Sequence, residues 1–152
     1  MRSVVRSSLL AIVVAGGVAL TSACDKNSTP DTTTPTSPTT FQVTETFGGT
    51  LVKNGAASYS FSAAAAGTVT VTLTKVTDTV DATLPAPNIG ISLGSWDGTA
   101  CAVQTGIFTD SASQGASING AVTGAGVLCA RVYDPAAFVN NPLAYTITVV
   151  HP

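Results

Sequence analysis

The sequence predicts an all-β protein, an antiparallel β-sandwich of jelly-roll type with about seven to nine short strands. Three observations predict it. Thr68–Thr74 reads Thr-Val-Thr-Val-Thr-Leu-Thr, the period-two alternation of a strand with one buried face. Short runs of this kind recur down the chain and are separated by Gly, Pro and Asn. Only 9 % of residues are charged, and no window carries a helical period.

The chain opens with Arg2 and Arg6, an apolar run from Leu9 to Leu20, and the small residues Ser22 and Ala23. A basic start, an apolar centre and a small-residue exit describe a secretory signal peptide over residues 1–23. The run is shorter than the roughly 20 apolar residues a membrane-spanning helix needs. Ser22-Ala23-Cys24 resembles the bacterial lipobox, with Leu20 one position early and Thr21 where the leucine usually stands. That resemblance implies cleavage before Cys24 and lipidation of its sulfur, which would anchor the chain in the bacterial cell envelope, on the periplasmic face or at the cell surface.

Residues 24–40 form the next segment. Twelve of the fourteen residues from Asn27 to Thr40 are Ser, Thr or Pro, so nothing apolar is present to offset the entropy cost of folding. The segment reads as a disordered linker that reaches about 50 Å if extended at roughly 3.1 Å per residue.

The third segment, 41–152, is the β-sandwich domain. Strands are expected near 41–46, 49–53, 57–62, 68–74, 88–94, 100–104, 115–121, 126–133 and 145–149. In Thr68–Thr74 the inward residues are Val69, Val71 and Leu73, while the β-branched threonines face water. Ala63–Ala66 is too short for a stable helix, and reads as a connection with at most one helical turn.

Phe47-Gly48-Gly49-Thr50-Leu51, Ser58-Tyr59-Ser60-Phe61, Gly67–Leu73, Cys129–Asp134 and Tyr145–Val149 together resemble the bacterial pre-peptidase C-terminal domain. The resemblance spans residues 41 to 152. It implies a jelly-roll sandwich and a non-catalytic module of the kind appended to secreted proteases and other hydrolases, here displayed alone on a lipid anchor. The chain departs from the family at Asn88–Gly98, which lacks an acidic alternating strand, so a calcium role is not carried over.

Three cysteines are an odd number. With Cys24 lipidated, Cys101 and Cys129 remain to pair as a disulfide in an oxidising compartment. A thiolate metal site would need more ligands than a chain with one histidine offers. The segment after residue 23 carries Lys26, Lys53, Lys75 and Arg131 against eight carboxylates, a formal charge near −4. That balance gives no footprint for nucleic acid and no basic cluster for lipid headgroups, leaving the lipid on Cys24 as the link to the membrane.

No catalysis is expected. His151 is the sole histidine and lies where a terminus would fray, and no Gly-x-Ser-x-Gly nucleophile elbow is expected. Glu45 is the one glutamate and the aspartates are scattered, which gives no carboxylate pair for glycoside cleavage. Calcium could use Asp78, Asp81, Asp97, Asp110 and Asp134, but no Asp-x-Asp spacing concentrates them. They read as turn residues, and no metal or other cofactor is expected. The candidate ligand-binding residues are Trp96 and Asp97 at a loop tip, with Phe138 and Asn140 in the long 134–142 connection. Bound glycan or protein is the leading expectation, and an accessory that docks onto another envelope protein or a secreted hydrolase is the alternative.

Overall fold

The structure is a computed structural model that describes residues 41–152. The signal peptide expected at 1–23, the lipidation expected at Cys24 and the linker expected to residue 40 lie outside the described residues. Eight strands follow one another: β1 (Val43–Leu51), β2 (Ala56–Ala63), β3 (Gly67–Asp78), β4 (Ile89–Trp96), β5 (Cys101–Ala112), β6 (Ser117–Val122), β7 (Gly126–Tyr133) and β8 (Leu143–His151). They form two four-stranded antiparallel sheets, in the orders β1-β8-β3-β6 and β2-β7-β4-β5. The pairs β1·β8, β2·β7, β3·β6 and β4·β5 nest like one long hairpin whose successive pairs fall in opposite sheets, which is the wiring of a jelly roll.

Alternation supplies the core. Val69, Val71 and Leu73 of β3 and Ile147 and Val149 of β8 point inward from one sheet, and Ile89, Ile91 and Leu93 of β4 with Ala130 and Val132 of β7 point inward from the other. Each large aliphatic side chain so buried contributes about 1.5–3 kcal/mol.

Where expectation and structure differ, the cause is local. The two strands expected at 41–46 and 49–53 are one strand, because Gly48-Gly49 continues β1 rather than turning it. The missing side chain at Gly49 leaves room for two tyrosines: a Cβ there would lie 2.9 Å from the Tyr59 hydroxyl and 3.0 Å from that of Tyr145. Tyr59 donates to the Gly48 carbonyl at 3.0 Å and accepts from Tyr145 at 2.8 Å. Strand β3 runs four residues beyond Thr74, where a bulge between Leu73 and Lys75 shifts the inward set to Val76 and Asp78 and breaks the simple alternation. Edge strand β5 is mostly exposed and also bulged, so its second half carries little alternation to read. Ala64–Ala66 is a bend without a helical turn, fastened by the Ala64 N–H to the Pro152 carbonyl at 2.9 Å.

His151 does not fray. It is 2 % exposed at the end of β8, with Nε2 3.0 Å from Glu45 Oε1 and its ring 5.0 Å from that of Phe61. The pairing of Val43 with His151 holds the two ends of the domain side by side.

Strand β4 is buried on both faces. Its outward residues are Gly90, Ser92 and Gly94, and each is covered. The Tyr133 ring lies across Gly90, where a Cβ would come within 2.6 Å of Cε1, and its hydroxyl donates to Asp110 on β5. Over Gly94 passes the β5 backbone, with Val103 Cα 2.9 Å from where a Cβ would stand. This crossing brings Cys101 of β5 within 5.7 Å, Cα to Cα, of Cys129 on β7, and the two form the expected disulfide across the intervening β4. Between the glycines, Ser92 is fully buried and its Oγ has no hydrogen-bond partner among the described residues. Removing an unpaired buried hydroxyl relieves its desolvation cost, so Ser92→Ala should raise the unfolding free energy by about 1 kcal/mol in urea melts. A loss of that size instead would show that the hydroxyl is satisfied.

Candidate functional site

Ladder register assigns every connection to one of two ends. Residue 41, the C-terminus and the turns 64–66, 97–100 and 123–125 lie at one end; 52–55, 79–88, 113–116 and 134–142 lie at the other. Most connections have three or four residues, whereas 79–88 and 134–142 have ten and nine, and both belong to the end remote from residue 41.

Two buried aspartates shape these long loops. Asp78 Oδ1 accepts the Val80 and Asp81 N–H groups at 2.8 and 3.1 Å, and its Oδ2 accepts Asn141 Nδ2 at 3.0 Å. Thr79 adds two bonds to the Pro142 carbonyl, tying one loop to the other. Asp134 accepts the N–H groups of Asn54, Phe138 and Val139 at 2.9, 2.9 and 3.4 Å. Ala137, at φ 58°, adopts the left-handed conformation that costs an L residue roughly 1–2 kcal/mol. Its turn sends Val139 into the core and leaves Phe138 58 % exposed.

Between the loops lies a cleft of about 250 Å³. Phe138, Leu84 and Leu143 form its apolar wall with Pro85 and Pro87, and Asp78, Asn140 and Asn141 form its polar side. The bonds to Asp81, Asn141 and Val80 hold the Asp78 carboxyl below the usual carboxylate range. Asp81 is lowered by its bonds from Thr83, and Asp97 by those from Ala100 and Thr99.

These shifts set an acid limit. A carboxyl whose folded pKa lies below its unfolded value near 3.9 adds stability that is complete above that value and lost as pH falls through the folded one. Urea midpoints should therefore decline below about pH 4, and Asp78→Asn should flatten part of that decline; an unchanged profile in the variant would contradict the assignment. At the alkaline side, burial and the bond to Asp110 push Tyr133 up to about 12, against the opposing charge of Arg131. Its contribution is present below pH 10 and fades toward about pH 12.

Of the four candidate binding residues, Phe138 and Asn140 line the cleft and Trp96 and Asp97 do not. Gly90 pairs with Tyr133 and Ser95 with Leu128, so Trp96 lies six residues along β4 from Gly90, roughly 20 Å from the 134–142 end. The expected joint patch of Trp96 with that loop is not formed. Trp96 is half-buried, and Asp97 spends its carboxylate on the Thr99 and Ala100 N–H groups at 2.8 and 2.7 Å to close a tight turn with Gly98 at φ 102°. A second hollow of about 270 Å³ lies toward that end, bounded by Ser95, Gln104 and the 121–128 segment, with no ionisable group in its lining.

The letters Gly-x-Ser-x-Gly do occur, at Gly90–Gly94, and no elbow accompanies them. They lie inside β4 rather than on a strand-to-helix turn, Ser92 is sealed from solvent, and His151 belongs to the other sheet. The glycines there make room for Tyr133 and β5. Among the described residues no three His, Cys, Asp or Glu side chains gather to hold a metal ion, and the carboxylates of Asp78, Asp81, Asp97 and Asp134 accept bonds within or between turns.

Sequence reading missed Leu84, Pro85, Pro87 and Asn141 as parts of one site with Phe138. The available signal was loop length, since connections well above the usual few residues in a small sandwich are often functional. No protein family model matches the chain, and no curated protein is found to be similar to it.

Proposed function

We propose that the protein is a non-catalytic module of the bacterial cell envelope, lipid-anchored through Cys24, that binds extracellular glycan or protein in the cleft between the 79–88 and 134–142 loops. The observation that carries this reading is the placement of the cleft. It lies at the end of the sandwich remote from residue 41, where the linker joins, so a chain tethered at Cys24 would present it outward. The pairing of Cys101 with Cys129 supports the anchor, because it accounts for two of the three cysteines and Cys24 is the third. The resemblance to pre-peptidase C-terminal domains belongs to the same proposal.

Two measurements test it. Mass analysis of the exported protein should find a diacylglyceryl group on Cys24, and a water-soluble product that begins elsewhere would overturn the anchor. A soluble form, Cys24→Ser expressed from residue 24, should be retained by immobilised envelope glycans or proteins, and Phe138→Ala should weaken retention at least tenfold while Trp96→Ala leaves it unchanged. Truncating a central aromatic contact commonly has an effect of that size. Retention that depends on Trp96 and not on Phe138 would place binding at the wrong end.

A specific observation also favours the accessory reading. Val80 in the 79–88 loop is 73 % exposed, close in sequence to the cleft residue Asp78, and would suit the apolar centre of a docking surface on another envelope protein or a secreted hydrolase. Its signature would be a Val80→Asp variant that loses protein capture while glycan retention persists.

A further inference from the structure

The cleft's lining discriminates among ligands. Resting on the reading of this cleft as the binding site, we propose that its ligand is a neutral saccharide, stacked on Phe138 and hydrogen-bonded by Asn140 and Asn141.

Three features of the cleft support this choice. The Phe138 ring is more than half exposed yet fixed at its base, since its own N–H and that of Val139 are bound by Asp134 and Val139 is buried. An aromatic face held out in this way carries partial negative charge and suits the weakly positive C–H face of a pyranose. Beside Asp78, the polar side carries two amides, which can both donate to and accept from sugar hydroxyls. Asn141 is oriented by its Nδ2 bond to Asp78, so its amide oxygen and second N–H are held in a defined direction.

Charge narrows the class further. No lysine or arginine lines the cleft, while Asp78 is held ionised by its three bonds. An anionic sugar, a phosphorylated glycan or an acidic peptide would meet an uncompensated like charge in a partly desolvated cleft. Size separates saccharide from protein. A space of about 250 Å³ suits a ring or two of a chain, whereas a protein partner needs roughly 800 Å² of surface on each side.

The test uses the soluble form from residue 24 with Cys24→Ser, titrated by calorimetry with neutral oligosaccharides of several linkages, uronate-containing oligosaccharides and isolated envelope proteins. Binding to at least one neutral oligosaccharide is expected, weakened at least tenfold by Phe138→Ala and by Asn140→Ala, and unaffected by Trp96→Ala. Because Phe138 and Asn140 are both exposed, their variants should melt within a few degrees of the parent. Tighter binding of uronates than of their neutral counterparts would overturn the charge argument. Binding of an envelope protein alone, abolished by Phe138→Ala, would overturn the saccharide inference while the cleft stands as the binding site. Saccharide binding that survives both cleft variants would overturn the inference and the site together. No binding to any neutral oligosaccharide would overturn the inference.

Discussion

Reducing the Cys101–Cys129 bridge, or replacing both cysteines by serine, is expected to lower the unfolding free energy by about 3–4 kcal/mol. The bridge joins residues 28 apart in sequence, and closing a loop of that length in the unfolded chain accounts for most of the effect in the chain-entropy view. The structural consequence is equally specific. The bridge passes across β4 and fastens the first turn of edge strand β5 to β7, so its loss frees β5 at the 97–104 end. Urea unfolding with and without reductant measures the first effect, and hydrogen exchange at Ala102 and Val103 measures the second. An unchanged midpoint under full reduction would show that the bridge contributes nothing to the fold. The cleft lies at the opposite end, so the binding proposed there should persist in the reduced protein wherever it remains folded.

Gly94→Ala should destabilise by a similar amount, about 3 kcal/mol, although it adds a single methyl group. The new Cβ would stand 2.7 Å from the Ala102 carbonyl carbon and 2.9 Å from Val103 Cα. Both are backbone atoms held by the β4·β5 ladder and, close by, the disulfide, so no side-chain rotation relieves the clash. Overpacking that forces backbone shifts costs typically 1–3 kcal/mol, occasionally more. The contrast is Gly124→Ala, in a turn where an added Cβ meets no neighbour, which should change stability by less than about 0.5 kcal/mol. If Gly94→Ala melted with the parent, β5 would have to lie elsewhere. In the disulfide-free background its cost should shrink, because β5 can then move away; a full double-mutant cycle reads that coupling.

The two predictions concern one arrangement, the covered outer face of β4, and that arrangement shows where sequence reading stopped. From the letters, Gly90-Ile91-Ser92-Leu93-Gly94 is a strand with alternate small residues, and its inward set Ile91 and Leu93 follows from period two alone. That its small residues face a ring, a crossing strand and a sealed hydroxyl depends on which strands flank β4. Neither β7 nor β5 is named by any local pattern in β4. The same holds for His151: a residue next to a terminus looks free until β1 is paired beside β8 and Glu45 reaches it.

The cleft divides in the same way. Phe138 and Asn140 stand out in the letters because an aromatic and an amide in a long connection have no strand pattern to absorb them, and both line the cleft. Leu84 and Pro85 are not joined to them by any local pattern, since 79–88 and 134–142 are separated by four strands in sequence and meet only because the jelly roll places β3, β4, β7 and β8 with those ends together. Trp96 stands out in the letters as an aromatic beside the Asp97-Gly98 turn, and the antiparallel register of β4 against β7 puts it at the other end.

Alternation and turn residues therefore determined that the chain is all-β, which faces of most strands are buried, and where most strands lie within a few residues, the undivided β1 and the second half of β5 excepted, because these depend on neighbours two positions apart. Cysteine parity, once the lipobox resemblance sets Cys24 apart, points to the Cys101–Cys129 pair that the structure shows. Tertiary structure alone decided the strand order, the covering of β4, the burial of His151 and the meeting of the two long loops, because each depends on contacts between residues distant in sequence, whose partners local patterns do not specify.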